Sequence, residues 1–276
     1  MPTPWENWDG DLASLPCFVI NLKSSTERWA IIQRDVAPLL PRLQRVDAVD
    51  ARVQADDLLT NAALVSVATR ERITNGTPRW EHDSISTIGA VGCALSHVKV
   101  WQAIVRSKAP LALVLEDNMN LHAGHLGRIK RIVAHEGHAL PPSAVWFLGN
   151  VTRSSYAADS STRWRVPTLH FGTVAYLITQ QAATTLLQQA LPIEMHVDHF
   201  MTKVGNLNLV ATRVHPDVSV TRNWSLASDI NHDVPRSVIF VTATASLTFL
   251  LVVLVVVVVM QAVKLHQLRR RASAPR

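Results

Sequence analysis

Residues 111–117 read LALVLED: five apolar side chains in a row, then two acids. A short apolar run without polar alternation is what a strand buried on both faces requires, and its charged end marks where it meets solvent. Working outward, the chain repeats this pattern. Residues 17–22 (CFVINL) form another apolar run closing on a polar turn, and 42–49 (RLQRVDAV), 144–149 (AVWFLG), 173–179 (TVAYLIT) and 207–213 (LNLVATR) read as further strands. Helical stretches lie between them. Ser24, Ser25 and Thr26 offer N-caps for a helix reaching about Leu40, closed by Pro38 and Pro41. Residues 54–72, rich in Ala, Leu and Val, read as helix, as do 122–135 and 180–191, the last ended by Pro192. The clearest helix runs from about Thr87 to Ser107, with Ile88, Val91, Leu95, Val98 and Val105 near helical spacing. Residues 75–83 and 151–168 read as loops. The alternation predicts an α/β fold, a mostly parallel Rossmann-type sheet flanked by helices. Such sheets bind ligands at the carboxyl ends of their strands.

The chain has 276 residues, 48% of them hydrophobic and 17% charged. One segment skews both figures. Residues 237–263 carry no charge; as a helix they extend about 40 Å, enough for a bilayer core of roughly 30 Å. Behind them, Lys264, Arg269, Arg270, Arg271 and Arg276 supply most of the formal net charge of +6. The remainder is close to neutral, which argues against a nucleic-acid-binding surface. Two cysteines, Cys17 and Cys93, are too few for a disulfide scaffold or a zinc-cysteine module and read as buried small apolar residues. The expected organisation is an N-terminal extension (1–16), a folded domain (17–230), a linker (231–236), a single transmembrane helix (237–263) and a basic tail (264–276). The N-terminus lacks the basic start of a secretory signal. A single late segment inserted after synthesis leaves the large domain in the cytosol, and this is the expected placement. The basic tail by itself would favour the opposite side for the domain. Sugar on Asn223, in the sequon Asn223-Trp224-Ser225, would overturn the cytosolic placement.

Strand ends locate the candidate chemistry. The first strand offers Asn21 and then Arg28, the second Asp47 and Asp50, the third Glu116, Asp117 and Asn118. An acidic rim with a nearby arginine suits a divalent metal holding a phosphorylated ligand, and hard oxygen donors favour Mg2+ or Mn2+ over zinc. The competing reading is that strand ends are polar because they meet water.

Six blocks in order, FVINLKSSTERW, AVDA, GAVGCALSHVKVWQAIV, ALVLEDN, GTVAYLIT and VDHF, resemble glycosyltransferase family 25, which includes lipopolysaccharide-modifying sugar transferases and the procollagen galactosyltransferases. The resemblance runs from about Cys17 to Asp229. It implies a GT-A-type fold and transfer of a sugar, often galactose, from a nucleotide-sugar donor to a glycan or glycoprotein hydroxyl, with inversion. Asn21, Arg28 and Asp50 match motifs near the donor nucleotide, although Ala51 stands where the family has glycine. Ser96 and His97 match the SH pair, Tyr176 the strand motif, and Asp198 the acid of the last block. The family's Glu-Asp-Asp metal motif here reads Glu116-Asp117-Asn118, so one negative charge is replaced by a neutral carbonyl oxygen. In the implied mechanism, Mn2+ or Mg2+ on these three residues neutralises the departing diphosphate. Asp198, with Asp117 second, is the expected base for the acceptor hydroxyl. The alternative is a catalytically impaired relative acting as a membrane-anchored binding protein. Among other conspicuous residues, Trp101 and Trp146 read as core, and His122/His125 and His135/His138 as solvated helix faces.

Overall fold

In the computed structural model of the chain, residues 3–77, 84–149, 155–158, 162–206, 209–223 and 226 are described. In chain order the strands are β1 (Cys17–Asn21), β2 (Leu43–Asp47), β3 (Leu111–Glu116), β4 (Met119–Asn120), β5 (Ala144–Phe147), β6 (Ser155–Ala158), β7 (Arg165–Leu169), β8 (Ala175–Thr179), β9 (Ala211–Val214) and β10 (Thr221–Arg222). The helices are α1 (Thr26–Ile31), α2 (Ala55–Thr60), α3 (Val67–Thr74), α4 (Ile88–Ser107), α5 (Ala123–Glu136), α6 (Gln180–Leu187) and α7 (Val197–Asn206). By its contacts the chain divides into one unit of residues 1–77 with 82–233 and a second of 78–81 with 234–276. The expected linker, transmembrane helix and tail lie outside the described residues.

Eight strands form one sheet in the order β2-β1-β3-β8-β5-β9-β7-β6. β1 pairs in parallel with β2 and with β3, and β5 with β9. β8 is antiparallel to both β3 and β5, and β7 is antiparallel to β9 and β6. Most strands therefore share one direction, as expected, with β8 and β7 running against them. The apolar pattern of TVAYLIT announces burial on both faces but carries no information about direction. The stretch 151–168, read as a loop, holds β6 and most of β7, an edge hairpin with an irregular register at Ser155/Tyr156. Short edge strands with polar side chains lack the run that marks a central strand. The helix expected from Ser24 to Leu40 is broken into α1, a widened turn at Ile32–Val36 and a tight turn at Ala37–Leu39 containing Pro38. The helical region 54–72 is likewise two helices, α2 and α3.

Side chains alternate across a strand, so parity sorts the core into two layers. Phe18, Ile20, Ala112, Val114, Val145, Phe147, Tyr176 and Ile178 face α4, α6 and α7. Their neighbours Cys17, Val19, Leu113, Leu115, Trp146 and Leu177 face the opposite way, toward α5 and the N-terminal segment with Trp5, Trp8 and Leu12. Trp101 and Trp146 are both core residues, as expected. Among the described residues α4 is the one helix long and apolar enough, by length and composition, to cross a membrane, yet most of it is packed inside the domain. Its buried Val91, Val100 and Ile104 each contribute about 1.5–3 kcal/mol by leaving water. Thr87 caps its start by accepting from Ala90 N, and Lys108, in the left-handed conformation, ends it. At Gly92 a Cβ would lie 2.7 Å from Val49 O and 3.0 Å from Ala51 Cβ. Glycine is what lets the loop after β2 lie directly on α4.

Candidate functional site

The site begins at the carboxyl ends of β1, β2 and β3, and strand parity decides which way each side chain turns. Asn21 and Asp117 continue the odd-numbered face. Asn21 Nδ2 donates to Asp117 Oδ2 at 2.6 Å, and Arg28 Nη1, from α1, donates to Asp117 Oδ1 at 3.0 Å. The Arg28 and Asp117 side chains are only 14% and 9% exposed. Burial raises the Asp117 carboxyl above its ordinary range. Asn21 and Arg28 pull against that rise without cancelling it, and the Glu116 charge adds to it.

Glu116 turns to the opposite face. Its Oε1 accepts from Thr173 Oγ1 at 2.6 Å and lies 3.6 Å from His97 Nε2. Burial pushes this carboxyl up, but the His97 ring, the Thr173 hydroxyl and the Arg222 charge outweigh it, and the net shift is downward. Behind His97, its Nδ1 meets the Tyr176 hydroxyl at 2.9 Å, and Trp101 Nε1 donates to the same hydroxyl at 3.0 Å. His97 and Tyr176 are thus buried behind the site wall.

In front of this wall is an open cleft. Asn21, Arg28, Asp50, Ser96 and residues 116–118 all line it. Ser96 donates to Gly92 O at 2.6 Å and accepts from Val49 N at 2.9 Å, tying α4 to the loop that carries Asp50. Asp50 sits at the rim, held by Arg52 through contacts of 2.9 and 3.0 Å. Its hydrogen bond to Arg52 lowers its pKa, against a smaller burial effect. Asn118 is buried, and its Oδ1 has no hydrogen-bond partner among the described residues. The Asn118 backbone carbonyl accepts from Asn223 N at 2.6 Å, and Arg222 pairs with Met119 across the β10–β4 ladder.

Asp198 stands at the start of α7. Its Oδ2 accepts from Gly172 N at 2.7 Å and its Oδ1 from His199 N at 2.8 Å. Gly172 takes a φ of 90°, open to glycine, and the next residue is the Thr173 that binds Glu116. One dipeptide therefore bridges Asp198 and Glu116. Asp198 does not line the cleft with the other acids, yet both it and Glu116 act on the Cys93 thiol, whose pKa burial raises well above normal. Cys93 itself departs from its sequence reading. It is half-buried, lines the cleft, and has its sulfur within 4.8 Å of ligand atoms of His97 and Glu116. Asp47, at the end of β2, contacts Lys23 and Arg45 near the surface. His125 is buried, bonded to Ser219 O at 3.0 Å, so the His122/His125 pair is only half solvated.

Sequence reasoning missed Thr173, Arg52, Arg222 and the cleft position of Cys93. Thr173 opens the TVAYLIT block, and Cys93 lies one helical turn before His97, so both carried a signal. Arg222 carried none, because its place depends on a pairing across a hundred residues.

Two sets of residues could hold a metal: the 116–118 triplet expected from the sequence, and Cys93, His97 and Glu116, whose ligand atoms lie within 4.8 Å of one another. Asn118 Oδ1 is a buried acceptor lacking a donor, the kind of atom a hard cation satisfies. The oxygen donors fit Mn2+ or Mg2+ in kind, with Asp117 already shared with Asn21 and Arg28.

The fold and the site define an α/β protein with a strand-end cleft lined by carboxylates and arginines. More particularly, the chain belongs to glycosyltransferase family 25: residues 14–201 match the model for glycosyltransferase family 25 (LPS biosynthesis protein). It is 25% identical over 188 residues to a glycosyltransferase 25 family member of Drosophila melanogaster, covering 67% of this chain and 29% of the relative. To a glycosyltransferase 25 family member of Aedes aegypti it is 23% identical over 220 residues, 72% and 34% of the two chains. The chain spans about a third of the length of these curated relatives.

Proposed function

We propose that this protein transfers a sugar, galactose being the family's frequent choice, from a nucleotide-sugar donor to a hydroxyl of a glycan or glycoprotein, with inversion. The observation that carries the reading is the convergence of Asn21, Arg28, Asp50 and the 116–118 triplet on one cleft. In this reading Arg28 and Arg52, now paired with Asp117 and Asp50, exchange those carboxylates for donor phosphate oxygens, which guanidinium forks bind well. Mn2+ or Mg2+ held by Glu116, Asp117 and Asn118 would supply charge neutralisation for the leaving diphosphate. Ser96 holds the Asp50 loop in place, while His97 and Tyr176 act from behind the wall. Asp198 is the proposed base, because Asp117 is committed to Arg28 and Asn21. Its two backbone N–H partners fix its orientation. Residues 237–263 would anchor the domain to a lipid bilayer, on the cytosolic side.

Thermal shifts with a panel of nucleotide sugars, with and without Mn2+, test the reading. A donor that raises the melting temperature only with Mn2+ is expected, together with donor hydrolysis that Asp198→Asn abolishes. No shift with any donor would overturn it. Asn118 and the Arg28–Asp117 pair favour a second reading, a binding protein without turnover. In that case donors shift the melting temperature, hydrolysis is absent, and Asn118→Asp restores it.

A further inference from the structure

Trp101, Tyr176 and His97 are buried to 1% exposure or less, and their polar atoms form a line. Direction along that line follows from donor chemistry. An indole N–H only donates, so the Tyr176 oxygen accepts from Trp101 Nε1. The phenol hydrogen then requires an acceptor, and His97 Nδ1, at 2.9 Å, is the one in reach among the described residues. A neutral ring that accepts at Nδ1 carries its hydrogen on Nε2. Nε2 is buried with no partner within hydrogen-bond distance, and what it faces is Glu116 Oε1 at 3.6 Å. The same oxygen takes the Thr173 hydroxyl at 2.6 Å. One core-side donor, Thr173, thus bonds Oε1 and a second, His97, faces it, while no described residue donates to Oε2 of this cleft-lining carboxylate.

We infer that Trp101, Tyr176 and His97 form a one-way hydrogen-bond chain that leaves the His97 Nε2 hydrogen facing Glu116 Oε1 across 3.6 Å, which makes His97 and Tyr176 positioning residues that present Oε2 of Glu116 to a cation in the cleft. The inference deepens the donor-site reading above and rests on it for the cation. The replacement of an acid by Asn118 gives the arrangement its weight. Asp50 and Asp117 each face an arginine at contact distance, whereas Glu116 faces the Thr173 hydroxyl and the His97 ring, with Arg222 acting at longer range. Glu116 is therefore the carboxylate of the triplet that no arginine holds at contact distance among the described residues. The rival use of this corner is a thiolate–imidazole metal site on Cys93, His97 and Glu116, whose ligand atoms lie within 4.8 Å of one another. That use needs a lone pair on Nε2, where the chain places a proton.

The test uses the full chain in detergent, labelled with 15N-histidine. Long-range 15N–1H spectra at neutral pH should show His97 as the Nε2–H tautomer. In Tyr176→Phe the Nδ1 resonance should move by several ppm toward that of an unbonded imine nitrogen. A proton on Nδ1, or on both nitrogens, overturns the chain whether or not the protein turns over any donor. A sulfur-to-metal absorption band with Co2+, lost in Cys93→Ser, overturns it as well. Titration calorimetry with Mn2+ tests the positioning role. Tyr176→Phe and His97→Leu should weaken binding about 10-fold, as loss of a partner behind a ligand does, whereas His97→Gln, which can still donate to Oε1, should recover most of it. Equal Mn2+ affinity in all four proteins overturns the positioning role. Failure of the wild type to bind Mn2+ counts against the cation reading, and the tautomer spectrum still decides the chain.

Discussion

Glu116 and Asp117 are adjacent in sequence and line one cleft, yet their side chains meet partners from different layers. Glu116 faces the α4 layer, where burial raises its pKa but the His97 ring, the Thr173 hydroxyl and the Arg222 charge together bring it down. Asp117 faces the α1 side, where an arginine at 3.0 Å and an amide at 2.6 Å do not cancel its burial, and its pKa rises. Ion pairing is commonly taken as the stronger stabiliser of a carboxylate. Here the residue with the direct ion pair is the one whose charged form is disfavoured, because taking the charge out of water costs more than the pair returns. Two acids that read as one motif are thus shifted in opposite directions.

The difference can be broken from either side. The largest effect is expected at the packing that shapes the α4 side. Gly92→Val drives a side chain into Val49 O and Ala51, and should cost roughly 3 kcal/mol in urea denaturation through overpacking. Next comes the α1 side. Arg28→Met leaves Asp117 charged, enclosed and held by Asn21 alone. Breaking a fully buried pair costs about 3–5 kcal/mol; with the slight exposure of this one, about 2 kcal/mol is expected. The double variant with Asp117→Asn should regain most of that loss. The smallest effect, and the sharpest, is in titration. By 13C-carboxyl NMR, Asp117 should titrate above 3.8 and Glu116 below 4.5, the values each would have if unperturbed. Glu116, with its folded pKa depressed, contributes stability above pH 4.5 that disappears as pH falls through its folded value. Asp117, with its folded pKa raised, imposes a cost that grows as pH climbs from 3.8 through its own. Glu116→Gln should therefore flatten the acid limb of a stability–pH profile below 4.5. An unchanged limb would remove the contrast.

How much of this was legible beforehand depends on the kind of information each element carries. LALVLED and CFVINL announce buried strands because apolar runs report burial directly, and α4 follows from its spacing and the Thr87 cap. Strand direction leaves no such trace, so the reversal of β8 was invisible. The β6–β7 hairpin was missed because SYAA and RVPTL lack any sustained run. At the site, strand-end logic brought Asn21, Arg28, Asp50 and the triplet together. The same alternation that separates Leu115 from Val114 also sends Asp117 and Glu116 to opposite faces, a consequence present in the sequence that grouping them as one motif obscured. Tyr176 and His97 are grouped with the donor-contacting residues by motif; the structure places both in the buried layer behind the cleft lining, the observation from which their proposed support of Glu116 starts. Thr173, Gly172 and Arg222 reach the site through pairings far apart along the chain, which local pattern does not encode.

The N-terminal segment bears on how the protein is handled. Trp5 is enclosed, donates from its indole to Pro141 O at 2.9 Å, and lies 6.4 Å from the Trp146 ring in the sheet. Similarity to the family begins only at residue 14. A recombinant fragment cut at that boundary would strip away Trp5 and Trp8 and bare an aromatic floor of the sheet, inviting aggregation, although every cleft residue would still be present.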